Sequence, residues 1–249
     1  MSNATRTDTG RGALRRLNFG LALQHQNPDG TMTVSTARQA PAAKEKRSRG
    51  RPACSAIAGS DSLLKSARQA FAKRGFEATS VREIARDSGV DPALISHHFG
   101  SKEALWIAVV EQIAQHAVPM IEATGKLRTA GLTNRQRVER ALAIFIDKVF
   151  SDPDIGIFLS TAATEQGERL DVLIERLLRP YHEVFVPLLA DAINSGELPP
   201  NDPEVLFAML TNGVSKTVSY SHVLSVFSPL PKNPAKFKRA VLATALSML

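Results

Sequence analysis

Between Thr79 and Glu103 the chain is punctuated so closely that few folds can accommodate it. Ser80-Val81-Arg82-Glu83 has capping-box spacing, in which a hydroxyl and a carboxylate satisfy each other's exposed backbone N–H groups at a helix start. The helix it opens, with Val81, Ile84 and Ala85 on its apolar side, is cut off by Gly89, where a positive φ costs little. Asp91 then caps a third helix whose first position is Pro92, where a missing N–H does no harm. Ser101 starts a fourth. A short helix, a glycine turn and a second short helix form a helix-turn-helix, the unit that presents one helix to the DNA major groove.

At about 100° per residue the third helix divides cleanly. Ile95, His98 and Phe99 share one side, and Ile95 and Phe99 pack inward against the first two helices. Ala93, Leu94 and His97 point outward, with Pro92 and Ser96 beside them. An exposed leucine suits contact with a thymine methyl, and His97 can donate to a phosphate or a base edge. Lys102 sits in the first turn of the fourth helix, where the dipole disfavours a cation unless a phosphate docks there too.

Upstream, a first helix is read from Asp61 on Leu64, Ala67 and Phe71, ending at Gly75. Downstream the chain reads as helical throughout. The fourth helix runs to about Lys126 with Pro119 inside, and further helices are expected over 134–150, 154–164, 170–194, 203–227 and 234–249. No strand pattern and no internal repeat is present. The fold expected is all-α. A basic arm over 1–56, read as disordered, leads into a helix-turn-helix domain over 57–117 (motif 80–99), followed by a helical ligand-binding and dimerisation bundle over 118–249.

Charge supports that division. Residues 1–59 hold ten Lys/Arg against three Asp/Glu, whereas residues 60–249 hold 21 of each sign, so the whole net charge of +7 lies in the arm. Such arms meet nucleic acid or serve as solubilising tails. Within it, Arg49-Gly50-Arg51-Pro52 resembles the core of an AT-hook, making Arg49 and Arg51 candidates for a narrow minor groove. The single cysteine, Cys54, excludes an internal disulfide and a multi-cysteine zinc site. No apolar run approaches the roughly 20 residues of a membrane span, and no cleavable export signal is evident, so a cytoplasmic protein without a membrane partner is expected.

Gly89-Val90-Asp91-Pro92-Ala93-Leu94-Ile95 and His98-Phe99-Gly100-Ser101-Lys102-Glu103-Ala104-Leu105, with Phe71, Gly75, Phe76, Thr79, Ile84 and Ala85 before them, resemble the N-terminal domain of the TetR family of bacterial transcriptional regulators. The resemblance implies DNA contacts at Thr79, Ser80, Arg82, Pro92, Ala93, Leu94, Ser96, His97 and Lys102. One position departs: Ser96 stands where members commonly carry an aromatic that supports the backbone contact. The resemblance also implies a homodimer on double-stranded DNA with a palindromic operator, and a small apolar or amphipathic effector. The dimer would form through the last two long helices, on stripes such as Val205, Ala208 and Met209 or Phe237, Val241 and Leu242.

Residues able to line an effector pocket are Trp106, His116, Phe145, Phe158, Tyr181, Phe185 and Tyr220, all of which suit core packing equally. His116, His182 and His222 provide no pair at ligand spacing, so no metal and no cofactor is expected. No triad, phosphate loop or paired-carboxylate motif supports an enzyme. A nonspecific architectural DNA protein stays open beside the regulator, because of the arm.

Overall fold

The computed structural model describes the backbone of residues 54–249 and the side chains from Asp61 onward. The last three residues read as arm, 54–56, instead belong to the first helix, which starts at Cys54 and not at Asp61, while residues 1–53, with Arg49 and Arg51, lie outside the described residues. Those residues form one compact unit, all helical apart from its turns: α1 Cys54–Arg74, α2 Val81–Ser88, α3 Pro92–Phe99, α4 Lys102–Lys126, α5 Asn134–Ser151, α6 Asp154–Ala162, α7 Glu168–Leu173, α8 Arg179–Asn194, α9 Pro203–Ser219, α10 Ser221–Leu224 and α11 Pro234–Leu246.

Caps set most boundaries. Ser80 and Glu83 complete the capping box of α2, and Thr133 with Gln136 do the same for α5. Asp91, Asp202 and Asn233 cap α3, α9 and α11, each followed by proline at the first helical position. Gly89 ends α2 at φ 69°, with its N–H and that of Val90 returning to Arg86 and Ala85 carbonyls.

Two helix expectations need correction. The helix read over 170–194 begins at Glu168 and contains a π-helical stretch, Ile174–Leu178, immediately before α8. Pro180 explains the wide turn, because its ring and missing N–H are incompatible with an unbroken α-helical ladder. The helix read over 203–227 breaks at Tyr220, with φ −104° and ψ 26°. Thr217-Val218-Ser219 is a run of poor helix formers, and Ser219 donates its hydroxyl out of the helix to the Pro153 carbonyl at 2.6 Å. That helix is therefore α9 and the single turn α10.

The core has two clusters. In the first, Phe71, Ile84, Ile95, Leu105, Trp106 and Val109 are closed over by Phe158 of α6 and by Leu173 and Leu177, so its packing extends past residue 117 into the second half of the chain. The second joins α5, α8, α9 and α11 through Leu142, Ile146, Phe185, Leu189, Leu210 and Val241. Each fully buried side chain of this size contributes on the order of 1.5–3 kcal/mol. Met120 and Ile121 of α4 pack against both clusters. The expectation that no segment has membrane-span length is corrected by α4, which is long and apolar enough to cross a bilayer by composition alone. Its apolar residues have another explanation here: Leu105, Trp106, Val109, Val110 and Ile113 are core.

The two stripes expected at a subunit interface diverge. Val205, Ala208 and Met209 lie on the open face of α9, whereas Phe237 and Val241 of α11 are buried in their own subunit and Leu242 packs against that core.

Candidate nucleic-acid interface and effector cavity

The local signals of α2 and α3 place the outward face where the helical period expects it. Ile84 and Ala85 are fully buried, as is Ile95, which anchors α3. Pro92, Ala93, Leu94, Ser96 and His97 are exposed together, Leu94 at 53%. His98, read on the inner side, is exposed, with its ring edge-on to Phe99 at 5.0 Å, and Phe99 alone tucks under. Arg82 on α2 is exposed and makes no ion pair among the described residues, so its guanidinium is available to a phosphate. Ser80 is exposed but occupied: its hydroxyl accepts from the Glu83 N–H and donates to the Glu83 carboxylate at 3.0 Å. These bonds, the Ser80 backbone N–H foremost, and then the Arg74 guanidinium hold the Glu83 carboxyl below its usual range.

Two expected contacts change character. Thr79 is 2% exposed, and its hydroxyl donates to the Gly75 carbonyl at 2.7 Å. It ties the α1–α2 turn to the end of α1, and burial keeps its side chain from DNA. Lys102 is not a free cation at a helix start. Its ammonium donates to the Phe76 carbonyl at 3.0 Å and lies 4.2 Å from the Phe76 ring centre. This offsets the dipole penalty within the protein itself. Arg169 covers the same ring at 4.0 Å and bonds Glu77, Glu103 and Glu165, so the residues just after α1 are clasped by α4 and α7.

Away from this face lies a cavity of about 310 Å³, at the small end of small-molecule sites. Its walls come from α4 (Ile113, Ala117, Met120), α5 (Phe145, Lys148, Val149, with Asp152 at its end), α6 (Ile155, Gly156, Leu159, Ser160), Leu173, Leu177, Leu178 and Tyr181, and α9 (Phe207, Ala208, Thr211, Asn212, Ser215, Lys216). Of the expected lining residues, only Phe145 and Tyr181 are present, with their rings stacked at 5.3 Å. Trp106 and Phe158 are instead core, 6.0 Å apart. Phe185 is buried behind Tyr181, with ring centres 5.5 Å apart, His116 is exposed on the outer side of α4, and Tyr220 lies beyond the end of α9. Burial pushes the Tyr181 phenol upward, so it stays neutral; its oxygen has no hydrogen bond of good geometry, the nearby Thr124 hydroxyl being committed to the Met120 carbonyl.

A link that sequence reading missed joins cavity and DNA unit. Asp152 lines the cavity and accepts two bonds from Arg68 of α1, at 2.8 and 3.0 Å, and Arg68 is only 4% exposed. On the same seam the Gln69 side-chain amide donates to Asp154 at 3.0 Å, and the Thr161 hydroxyl to the Ala72 carbonyl at 2.9 Å. The partners are more than eighty residues apart, and the only sequence signal was a pair of aspartates flanking Pro153.

Residues 63–109 match the model of the bacterial regulatory proteins of the tetR family. BetI, a transcriptional regulator of Rhizobium meliloti, is 32% identical over 129 residues, covering 47% of this chain and 59% of that protein. NicS, a transcriptional repressor of Pseudomonas putida, is 29% identical over 137 residues, covering 55% and 62%. FasR, a transcriptional activator of Mycolicibacterium smegmatis, is 34% identical over 90 residues, covering 36% and 40%. The chain thus spans about two fifths to three fifths of the length of these relatives. Among solved structures, a tetR-family regulatory protein from Rhodococcus RHA1 superposes with a TM-score of 0.59 at 18% identity, over 76% of this chain and 96% of that one. FadR from Bacillus subtilis, solved with stearoyl-CoA, gives 0.55 at 17%, over 76% and 98%. Over residues 63–109, the helix-turn-helix segment, the chain is thus similar to the bacterial regulatory proteins of the tetR family.

Proposed function

We propose that the protein is a homodimeric, ligand-responsive transcriptional repressor that reads a palindromic operator with α3 in the major groove and acts in the bacterial cytoplasm. The observation that carries this reading is the exposed face of α3. Leu94 is an unpartnered apolar side chain between Ala93 and His97, a combination suited to a thymine methyl flanked by polar base edges. Ser96 on α3 and Arg82 on α2, the latter adding a charge, position the phosphates, and His97 reads a base edge.

One such unit reads a few base pairs, so two copies related by a dyad are required. The open face of α9, with Val205 and Met209 each 56% exposed and Gly213 unobstructed, supports that pairing. The remaining surface of α11 contributes beside it. The expected stripe of Phe237 and Val241 is spent on the subunit's own core.

The cavity offers the switch. An effector seated there touches α4 and α6 together, and α6 is hydrogen-bonded across its far side to α1. A ligand that fits one arrangement of these helices better than another moves the α3 units apart and releases DNA, provided it binds the two states with different affinity. Among the described residues, no reaction-specific constellation competes with this reading.

Footprinting on DNA upstream of and within the protein's own operon, with sedimentation of the free protein, tests the proposal. Protection of one symmetric site by a dimer is expected. Featureless coverage of DNA, or a monomer at micromolar concentration, would refute it.

A further inference from the structure

Resting on the reading of the cavity as an effector site, we infer that its ligand is an anionic amphiphile: an apolar chain ending in a carboxylate or phosphate. The deep walls are hydrocarbon, set by Ile113, Ala117, Met120, Leu159, Leu173 and Leu177. Two of the hydroxyls among them, Ser160 and Thr211, are satisfied within their own helices, whereas the buried Tyr181 phenol has no partner. Ser160 donates to the Gly156 carbonyl at 2.9 Å and Thr211 to the Phe207 carbonyl at 2.7 Å, and the Asn212 amide donates to the Ala208 carbonyl at 2.9 Å. Apart from the Tyr181 phenol, a ligand meets mainly hydrocarbon there, which suits an alkyl chain better than a polyol.

The charges decide the other end. Three ionisable groups other than Tyr181 line the cavity: Asp152, Lys148 and Lys216. Asp152 is fully engaged by both Arg68 nitrogens, so it offers little to a cationic ligand. Lys148, half-buried on α5, and Lys216 on α9 have no ion-pair or hydrogen-bond partner for their ammonium groups among the described residues. The neighbouring acid on α5, Asp147, is taken by Lys238 at 2.9 Å. Two uncompensated lysines from different helices, Lys148 half-buried and Lys216 exposed, beside an apolar interior, complement one anionic head group. A cationic head would face both.

Calorimetric titration of the full-length protein with dodecanoate, dodecyl phosphate, dodecanol and dodecyltrimethylammonium tests the assignment. Both anions should bind, the alcohol about tenfold more weakly, and the ammonium most weakly of all. The carboxylate and phosphate arms tell which head is preferred. Lys148→Gln with Lys216→Gln should lower anion affinity by about tenfold or more while leaving the alcohol unchanged, and the Lys148→Arg, Lys216→Arg pair should keep it. Binding of the ammonium as tight as the anions, no binding by any of the four, or unchanged anion affinity in the glutamine variant would overturn the assignment. Mobility shift without amphiphile, run on the same samples, separates the two claims. Anion binding without DNA binding refutes the regulator alone, and DNA binding without anion preference refutes the ligand class alone.

Discussion

Gly156→Ala opposes two effects of known size. Gly156 lies inside α6, where alanine would ordinarily add about 1 kcal/mol of helix propensity. But a Cβ built there falls 2.2 Å from Ser219 Oγ, 3.2 Å from Ser219 Cβ and 3.3 Å from the Ser215 carbonyl. Ser219 cannot simply rotate, because its hydroxyl donates to the Pro153 carbonyl at 2.6 Å. Giving up that bond costs roughly 1–3 kcal/mol where the carbonyl is left unpaired, and easing the remaining contacts separates α6 from α9 at overpacking costs of about 1–3 kcal/mol. The net expectation is destabilisation by about 1–5 kcal/mol, read as a lower urea midpoint at unchanged slope. Adding Ser219→Ala removes the 2.2 Å clash but not the bond already lost, so the double variant should sit above Gly156→Ala by about 1 kcal/mol or more. Gly156→Ala more stable than the parent would show that propensity wins, and that α6 is not seated against α9 as described.

Three further outcomes are expected. His97→Ala should weaken operator binding by about 1–3 kcal/mol and relax preference at one base pair, whereas Arg82→Ala should weaken all sequences alike and lower the salt slope by about 1; mobility shifts across salt concentrations distinguish them, and unchanged affinity removes the residue from the interface. Asp152→Ala strands the buried Arg68 guanidinium and should cost about 2–4 kcal/mol in urea unfolding, while Arg68→Met with Asp152→Leu recovers most of it; if the double variant also loses its ligand-induced DNA release, the seam carries the signal. Glu83 and Glu197 are both held below the ordinary 4.5, Glu83 chiefly by the Ser80 backbone N–H and Glu197 chiefly by that of Arg135. Since both folded values are depressed, their contribution to stability is complete above that ordinary value and is lost as pH falls through the lower folded values. Urea midpoints from about pH 6 down to about pH 3 should therefore fall less steeply in Glu83→Gln and Glu197→Gln than in the parent.

The DNA unit was legible because its determinants are local. Caps, a positive-φ glycine and the 3.6-residue period act over a few residues, and they correctly put Ile95 and Phe99 inward and Ala93, Leu94 and His97 outward. The same logic failed where a side chain's partner lies far along the chain. Lys102 reads as a free cation until the fold brings the Phe76 carbonyl to it across 26 residues. Thr79 reads as a contact until the end of α1 buries it. His116, at the right distance along α4 to face a pocket, faces outward because Ile113, Ala117 and Met120 take the inner side.

By itself, then, the sequence determined an all-helical chain, the placing of its caps and the outward face of α3, all set by interactions within one or two helical turns. Only the tertiary structure decided where the cavity lies, which lysines remain uncompensated beside it, and that Arg68 and Asp152 join it to the DNA unit. Those features are sums of contacts between helices distant in sequence, and burial, pairing and empty space exist only once the helices have packed.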